Sequence, residues 1–170
     1  NFILATESLG EERARNLIRN DVAVSDTKFV VDYFRMSPDY RLLFGGGENY
    51  TRRFPTDIKS FVRRYMLRVF PQLSEVCVDY AWGGTLAITR SRLPLFGRFD
   101  GDTYYALGYS GQGVALATLA GQVLSDAIAG TVEDFDVFAR LPRRQFPGGS
   151  LLRWPSLAFG MMYYALRDQL

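Results

Sequence analysis

The sequence predicts an α+β chain: an antiparallel sheet with packed helices, then a strand, a glycine turn and a long helix. Three observations carry this reading. "KFVVDYFRM" and "RLLFGGG" flank "SPDY", a turn signal between two apolar runs, which predicts an antiparallel hairpin. In "FPTDIKSFVRRYMLRVFPQL", Ile58, Phe61, Val62, Tyr65, Met66 and Val69 recur at helical spacing. "TYYALGYSGQGVALATLAGQVLSDAIAG", Thr103 to Gly130, runs from a β-rich segment through clustered glycines into an apolar helix.

The elements follow in order. "NFILAT" reads as a buried strand. Ser8, with Glu11 three residues on, reads as a capping box that opens a short helix. In the hairpin, Val31 and Tyr33 share one strand face by the period of two. Thr56 or Asp57 caps the amphipathic helix, and Pro71 ends it. "SEVCVDYAWGGTLAIT" is a strand broken or bent at Gly83 and Gly84. "RSRLPLFGRFDGDTYYALGY" is a turn and a second hairpin with "DGD" at its tip. Past Gly130, "VEDFDVFARLPRRQFPGGSLLRWP" reads as loop, and "SLAFGMMYYALRDQL" as a terminal helix.

Composition narrows the chemistry. A chain of 170 residues that is 48% hydrophobic and 15% aromatic can pack one domain or two small lobes. Its net charge is +2, with no concentrated basic stripe, which argues against a nucleic-acid partner. "VRRYMLR" and "LPRRQF" are short clusters that read as solvated faces or as small binding patches. No apolar run reaches spanning length without charges, so no membrane is expected. The single cysteine, Cys77, is read as a half-buried strand residue or a reactive thiol; a reducing cytoplasm is the expected location. There is no histidine. That excludes Ser-His-Asp and Cys-His nucleophiles and His-ligated metals, and leaves carboxylates, Lys, Arg, Tyr or a cofactor to carry any reaction. The chain opens on Asn1 and runs straight into apolar "FILAT", which reads as a fragment starting inside a larger protein.

Gly108, Gly111 and Gly113 form G-x-x-G-x-G between strand and helix. The dinucleotide fingerprint has the other spacing, and no P-loop is present. Two readings stand. Glycines admit a flat ligand close to the backbone, and a helix starting near Val114 aims free N–H groups and its positive dipole end at that ligand. Equally, a tight turn with close helix–sheet packing needs the same residues. Trp82, Gly83 and Gly84 upstream are likewise read as a bulge or a close backbone approach.

Taken together, W-x-G at Trp82 to Gly84, then "LPLFGR", then a hairpin into "ALGYSGQGVALATLAGQVLSDAI", resemble the C-terminal half of the FAD-dependent amine and amino-acid oxidases. That family includes glycine oxidase, D-amino-acid oxidase and monomeric sarcosine oxidase. The tail "FPGGSLLRWPSLAFGMMYYALRDQL" resembles the gamma-glutamylputrescine oxidase branch. The resemblance implies a fragment of a two-domain flavoprotein, with residues 1–80 in a substrate lobe, 81–130 a flavin-contacting segment returning to the FAD lobe, and 131–170 a tail. It implies that the backbone of Gly108, Tyr109, Ser110, Gly111, Gln112, Gly113 and Val114 lies at the flavin, and that Trp82, Gly83 and Gly84 line another part of its pocket. It implies hydride transfer from the carbon beside a neutral amine, hydrolysis of the imine, and reoxidation by oxygen to hydrogen peroxide.

The sequence departs from those relatives at two cations. The position of the arginine that follows W-x-G in glycine and D-amino-acid oxidases is Leu86, and that of the lysine after the glycine turn in sarcosine oxidase is Ala115. An unpartnered buried carboxylate is costly, so an alkyl amine, or one whose charges lie far from the reacting carbon, is expected over an α-amino acid. Val31 and Tyr33 are candidate pocket walls, Glu48 a candidate partner for a cationic substrate end, and Arg90 and Arg92 surface-turn or entrance residues. Cys77 is out of register with the covalent cysteine of sarcosine oxidase, so non-covalent FAD is expected. The G-x-G-x-x-G for the ADP half of FAD is absent, so this chain alone is expected to hold FAD weakly and to be inactive without an N-terminal FAD-binding half. Oligomeric state is left open, as are two rival readings: an FAD-dependent amino-acid oxidase or dehydrogenase with an unusual carboxylate site, and a non-catalytic subunit or interaction module.

Overall fold

β1 (Phe2–Ser8) lies inside the first sheet, and Phe2, Leu4, Ala5 and Thr6 along it are buried. Around it pair β2 (Val24–Ser25), β3 (Tyr33–Met36), β4 (Arg41–Gly45) and β5 (Val78–Gly83), in the order β2-β3-β4-β1-β5, every pairing antiparallel. The computed structural model describes residues 1–48, 53–142 and 148–167. It divides into two compact units, Asn1–Thr85 with Trp154–Leu170, and Leu86–Arg153.

In the first unit, α1 (Glu11–Leu17) and α2 (Ile58–Val69) bring Ala14, Val62 and Met66 onto Phe2, Leu4, Leu42 and Phe44, forming one apolar core. The helical spacing of α2 is therefore explained: Val62 and Met66 are its buried rungs. Asp57 caps it, accepting the Ser60 N–H at 3.0 Å, and Pro71 opens a 3-10 turn, Pro71–Leu73. Thr6, the buried polar member of β1, is satisfied: its hydroxyl donates to the Glu7 carbonyl and accepts from the Leu42 N–H.

The second unit holds the hairpin of β6 (Leu95–Phe99) and β7 (Thr103–Leu107), with Asp100 and Gly101 at positive φ in its turn. It continues into α3 (Gly113–Ile128) and α4 (Glu133–Ala139). Phe96, Ala120, Val123, Ala127 and Phe135 form its core. α5 (Gly149–Arg167) is the last element among the described residues; from Trp154 on it belongs to the first unit, where Tyr164 stacks on Phe29 with centroids 3.8 Å apart. No helix among the described residues is long and apolar enough to cross a membrane.

The structure revises several sequence expectations. Ser8 is the last residue of β1, not a helix cap; its hydroxyl donates to the Asp39 carbonyl at 2.6 Å, and Gly10 at φ 74 precedes α1. Val31 lies ahead of β3, because Asp26 and Lys28 bind Asp32 in a local clamp that keeps residues before Tyr33 out of the strand. β5 does break at Gly83, as expected. Cys77 is exposed and one residue short of the strand. The segment after Gly130 contains α4, since Phe135 and Phe138, one helical turn apart, both meet Phe96. α5 starts at Gly149 and runs through Pro155, so the proline does not break it.

Candidate functional site

The glycine turn is built in the second unit by three residues with positive φ: Gly108 at 71°, Ser110 at 53° and Gly111 at 95°. Its inner side is fastened to the loop before β6. Ser110 N–H donates to the Ala87 carbonyl at 3.1 Å, and Thr89 N–H donates to Ser110 Oγ at 3.1 Å. A Cβ on Gly108 would lie 2.5 Å from Thr89 Cγ2, so Gly108 is required by packing. Tyr109 is held by its hydroxyl, which donates to the Ala106 carbonyl at 3.1 Å.

The outer side differs. A Cβ on Gly111 would meet nothing within 4 Å, and one on Gly113 only Tyr109 Cδ2 at 3.9 Å. Gly113 has no positive φ, so neither strain nor crowding among the described residues explains it. α3 begins there with no side-chain cap from Gln112. A 16-residue helix therefore presents the free N–H groups of its first turn beside an open backbone. Val114 is 96% exposed, and Ala115 is exposed. A flat ring with developing negative charge at its edge fits this arrangement, so the residues suit the flavin that the resemblance implies.

The first unit carries the other candidates at one end of its sheet. α1 and α2 cover one face. On the opposite face, register sets two rows across four strands: Tyr33, Gly45, Ile3 and Trp82, then Arg35, Leu43, Ala5 and Tyr80. The Tyr33 ring crosses Gly45, where a Cβ would be far too close. Its hydroxyl donates to Asn1 Oδ1 at 3.2 Å. Burial pushes the Tyr33 phenol up from its ordinary value, and the negative charge of Glu48 adds to that. Trp82 is 46% exposed on this face. Gly83 turns the other way, and the Phe2 ring fills the space its side chain would need. Gly84 has open space and donates its N–H to the Asn1 carbonyl at 3.0 Å. Val31 is exposed and outside the rows, and Leu86 opens the second unit, 43% exposed.

The sequence reading singled out Tyr33 and Trp82 but not their row partners Ile3, Leu43, Arg35 and Tyr80. The period of two from Tyr33 and Trp82 reaches Arg35 and Tyr80; only the strand register reaches Ile3 and Leu43. Arg41 lies over the Tyr80 ring at 5.5 Å and pairs with Asp39 and Asp79, which raises its pKa further. Among the described residues, no group of three His, Cys, Asp or Glu is placed to hold a metal ion.

Comparison with known proteins identifies the family. The family described as "DAO: FAD dependent oxidoreductase" matches residues 1–127. Gamma-glutamylputrescine oxidoreductase of Escherichia coli (strain K12) is 46% identical over 168 residues, covering 99% of this chain and 39% of that protein. Probable oxidoreductase OrdL of Haemophilus influenzae is 39% identical over 168 residues, covering 99% and 38%. The chain thus spans about two fifths of the length of these curated relatives. Among solved structures, glycine oxidase from Bacillus cereus aligns with TM-score 0.61 at 17% identity, over 85% of this chain and 39% of that one. L-proline dehydrogenase from P. horikoshii aligns with TM-score 0.57 at 21% identity, over 75% and 34%. These two show the fold. The family expected from W-x-G, the hairpin and the glycine turn is the one found: the chain belongs to the DAO family of FAD-dependent oxidoreductases.

Proposed function

We propose that the whole protein containing this chain oxidises the CH–NH bond of an amine resembling gamma-glutamylputrescine, with non-covalent FAD as the electron acceptor. The observation that carries this is the 46% identity, along nearly the whole chain, to a gamma-glutamylputrescine oxidoreductase. Leu86 and Ala115 add support, since both lack the cation that holds an α-carboxylate in amino-acid oxidases of the resemblance.

In this reading the backbone from Gly108 to Val114 holds the flavin edge, and the first turn of α3 stabilises negative charge there, as oriented N–H groups do in a water-poor site. Trp82 and Gly84 serve as further flavin contacts, and Gly83 keeps their strand close to Phe2. When bound, FAD supplies a two-electron acceptor for the C–H bond beside the amine; the imine then hydrolyses to aldehyde and ammonia, and dioxygen takes the electrons as hydrogen peroxide. Tyr33 walls the substrate site as a neutral phenol, because burial disfavours its anion. Glu48 attracts a cationic substrate end. An N-terminal FAD-binding half is the partner this reading requires, and the chain alone does not turn over.

The test uses the whole protein, with the flavin absorption band recorded anaerobically before and after adding gamma-glutamylputrescine. Bleaching supports the reading. A protein that stays colourless with added FAD refutes the cofactor role; a yellow protein that does not bleach refutes the substrate.

A further inference from the structure

Arg35 occupies a corner of the uncovered sheet face, directly across from Leu43 and two residues along β3 from Tyr33. Its guanidinium makes one polar contact among the described residues: Nε donates to the Met36 carbonyl at 3.3 Å. No carboxylate pairs with it there. Its neighbours on the chain behave otherwise. Arg41 is bound by Asp39 and Asp79, Arg15 by Asp21, and Arg63 by the Ser74 and Val76 carbonyls. Arg35 therefore keeps both Nη groups available beside Ile3, Leu43, Trp82 and Tyr80, with Ala5 buried among them and the other arginine of this face, Arg41 over the Tyr80 ring, already taken up by Asp39 and Asp79.

We propose that Arg35 binds a carboxylate on the substrate that is remote from the oxidised carbon, and so sets the preference for an amino-acid-tagged amine. This rests on the amine-oxidation reading above and names the part of that substrate which the sheet face recognises. A planar guanidinium with two free donors matches a carboxylate in bidentate fashion. The apolar strip between Arg35 and Trp82 suits a methylene chain. Dimensions agree. The two rows lie about 7 Å apart along the strands, and Tyr33 and Trp82 lie three strand spacings apart, about 14 Å. A glutamyl group amide-linked to a four-carbon diamine spans about 11 Å from reacting carbon to carboxylate. The backbones at Arg35 and Trp82 are therefore about 16 Å apart on the diagonal, and the reach of the arginine side chain, about 6 Å, covers the difference, so one such molecule lies across the face with its carboxylate at Arg35.

The experiment compares the whole protein with Arg35→Gln and Arg35→Lys on two substrates. Gamma-glutamylputrescine has the carboxylate. N-acetylputrescine keeps the amide and the diamine chain but lacks it. For Arg35→Gln, the KM for gamma-glutamylputrescine is expected to rise about 10- to 100-fold, the loss of a charge-assisted hydrogen-bond pair, with kcat little changed and N-acetylputrescine kinetics unaltered. Arg35→Lys recovers part of the loss. Equal losses on both substrates, as from a structural defect, overturn the proposal, and so does no loss on either. If the parent protein's flavin is not reduced by gamma-glutamylputrescine at all, the amine-oxidation reading falls and takes this proposal with it, an outcome visible before any variant is made.

Discussion

Gly113 separates a cofactor site from a packing turn. It is the first residue of α3, has no positive φ, and a Cβ there would meet only Tyr109 Cδ2 at 3.9 Å. Among the described residues, Gly113→Ala is therefore free of strain and crowding. Alanine also restricts the unfolded chain and favours the helix, so the apoprotein is expected to gain about 0.5–1 kcal/mol. The effect on FAD has the opposite sign. A ring resting on the bare backbone sits at van der Waals contact, about 3.5–4 Å, and an added methyl pushes it away. We expect FAD affinity to fall at least about tenfold, roughly 1.4 kcal/mol. The assay pairs thermal unfolding of the apoprotein with FAD titration followed by flavin fluorescence, both on the whole protein. An unchanged Kd with a stabilised apoprotein would refute the reasoning, and the turn would then be packing alone.

Two further predictions concern the fold. Gly108→Ala should destabilise the protein on the order of 2–4 kcal/mol, because residue 108 is left-handed and its Cβ would strike Thr89 Cγ2. Thr89 cannot turn away freely, since its hydroxyl donates to the Leu93 carbonyl at 2.8 Å; urea unfolding reads the loss. Asp57→Ala should lower the thermal midpoint by uncapping α2, while Asp57→Ser keeps most of it. The pH dependence has a definite sign. Hydrogen bonding from Ser60 holds the Asp57 carboxyl below its ordinary value. Its contribution is thus fully present above the unfolded value near 4 and is lost as pH falls through the lower folded one, so the gap between parent and Asp57→Ala should close in acid.

The elements that carry the candidate site were legible along the chain because their signals are short-range. The α2 periodicity, both hairpins and the run from β7 through clustered glycines into α3 each lie within about thirty residues, and local propensity and spacing encode them. The missing histidine and the order of W-x-G, hairpin and glycine turn pointed to a cofactor enzyme family, and the family comparison agrees. α4 escaped notice because its helix signal is one apolar pair, Phe135 and Phe138, whose value appears only when Phe96 packs on both. Ser8 and Val31 went astray for a like reason. A carbonyl from the hairpin turn claims the Ser8 hydroxyl, and the Asp26–Lys28–Asp32 clamp holds Val31 out of the strand.

Spacing along the chain identifies which residues can share a strand face; it does not say which strands lie side by side. Tyr33 and Arg35 are neighbours by period, but Trp82, Ile3 and Leu43 join them only through the order β3-β4-β1-β5. Glycines behave the same way. The sequence marks Gly83, Gly108 and Gly113 alike, whereas tertiary contacts distinguish them: Phe2 fills the space at Gly83, Thr89 that at Gly108, and at Gly113 only the Tyr109 ring comes near among the described residues, at an ordinary 3.9 Å. Glycine is required wherever something comes close, and only the folded chain shows what that is.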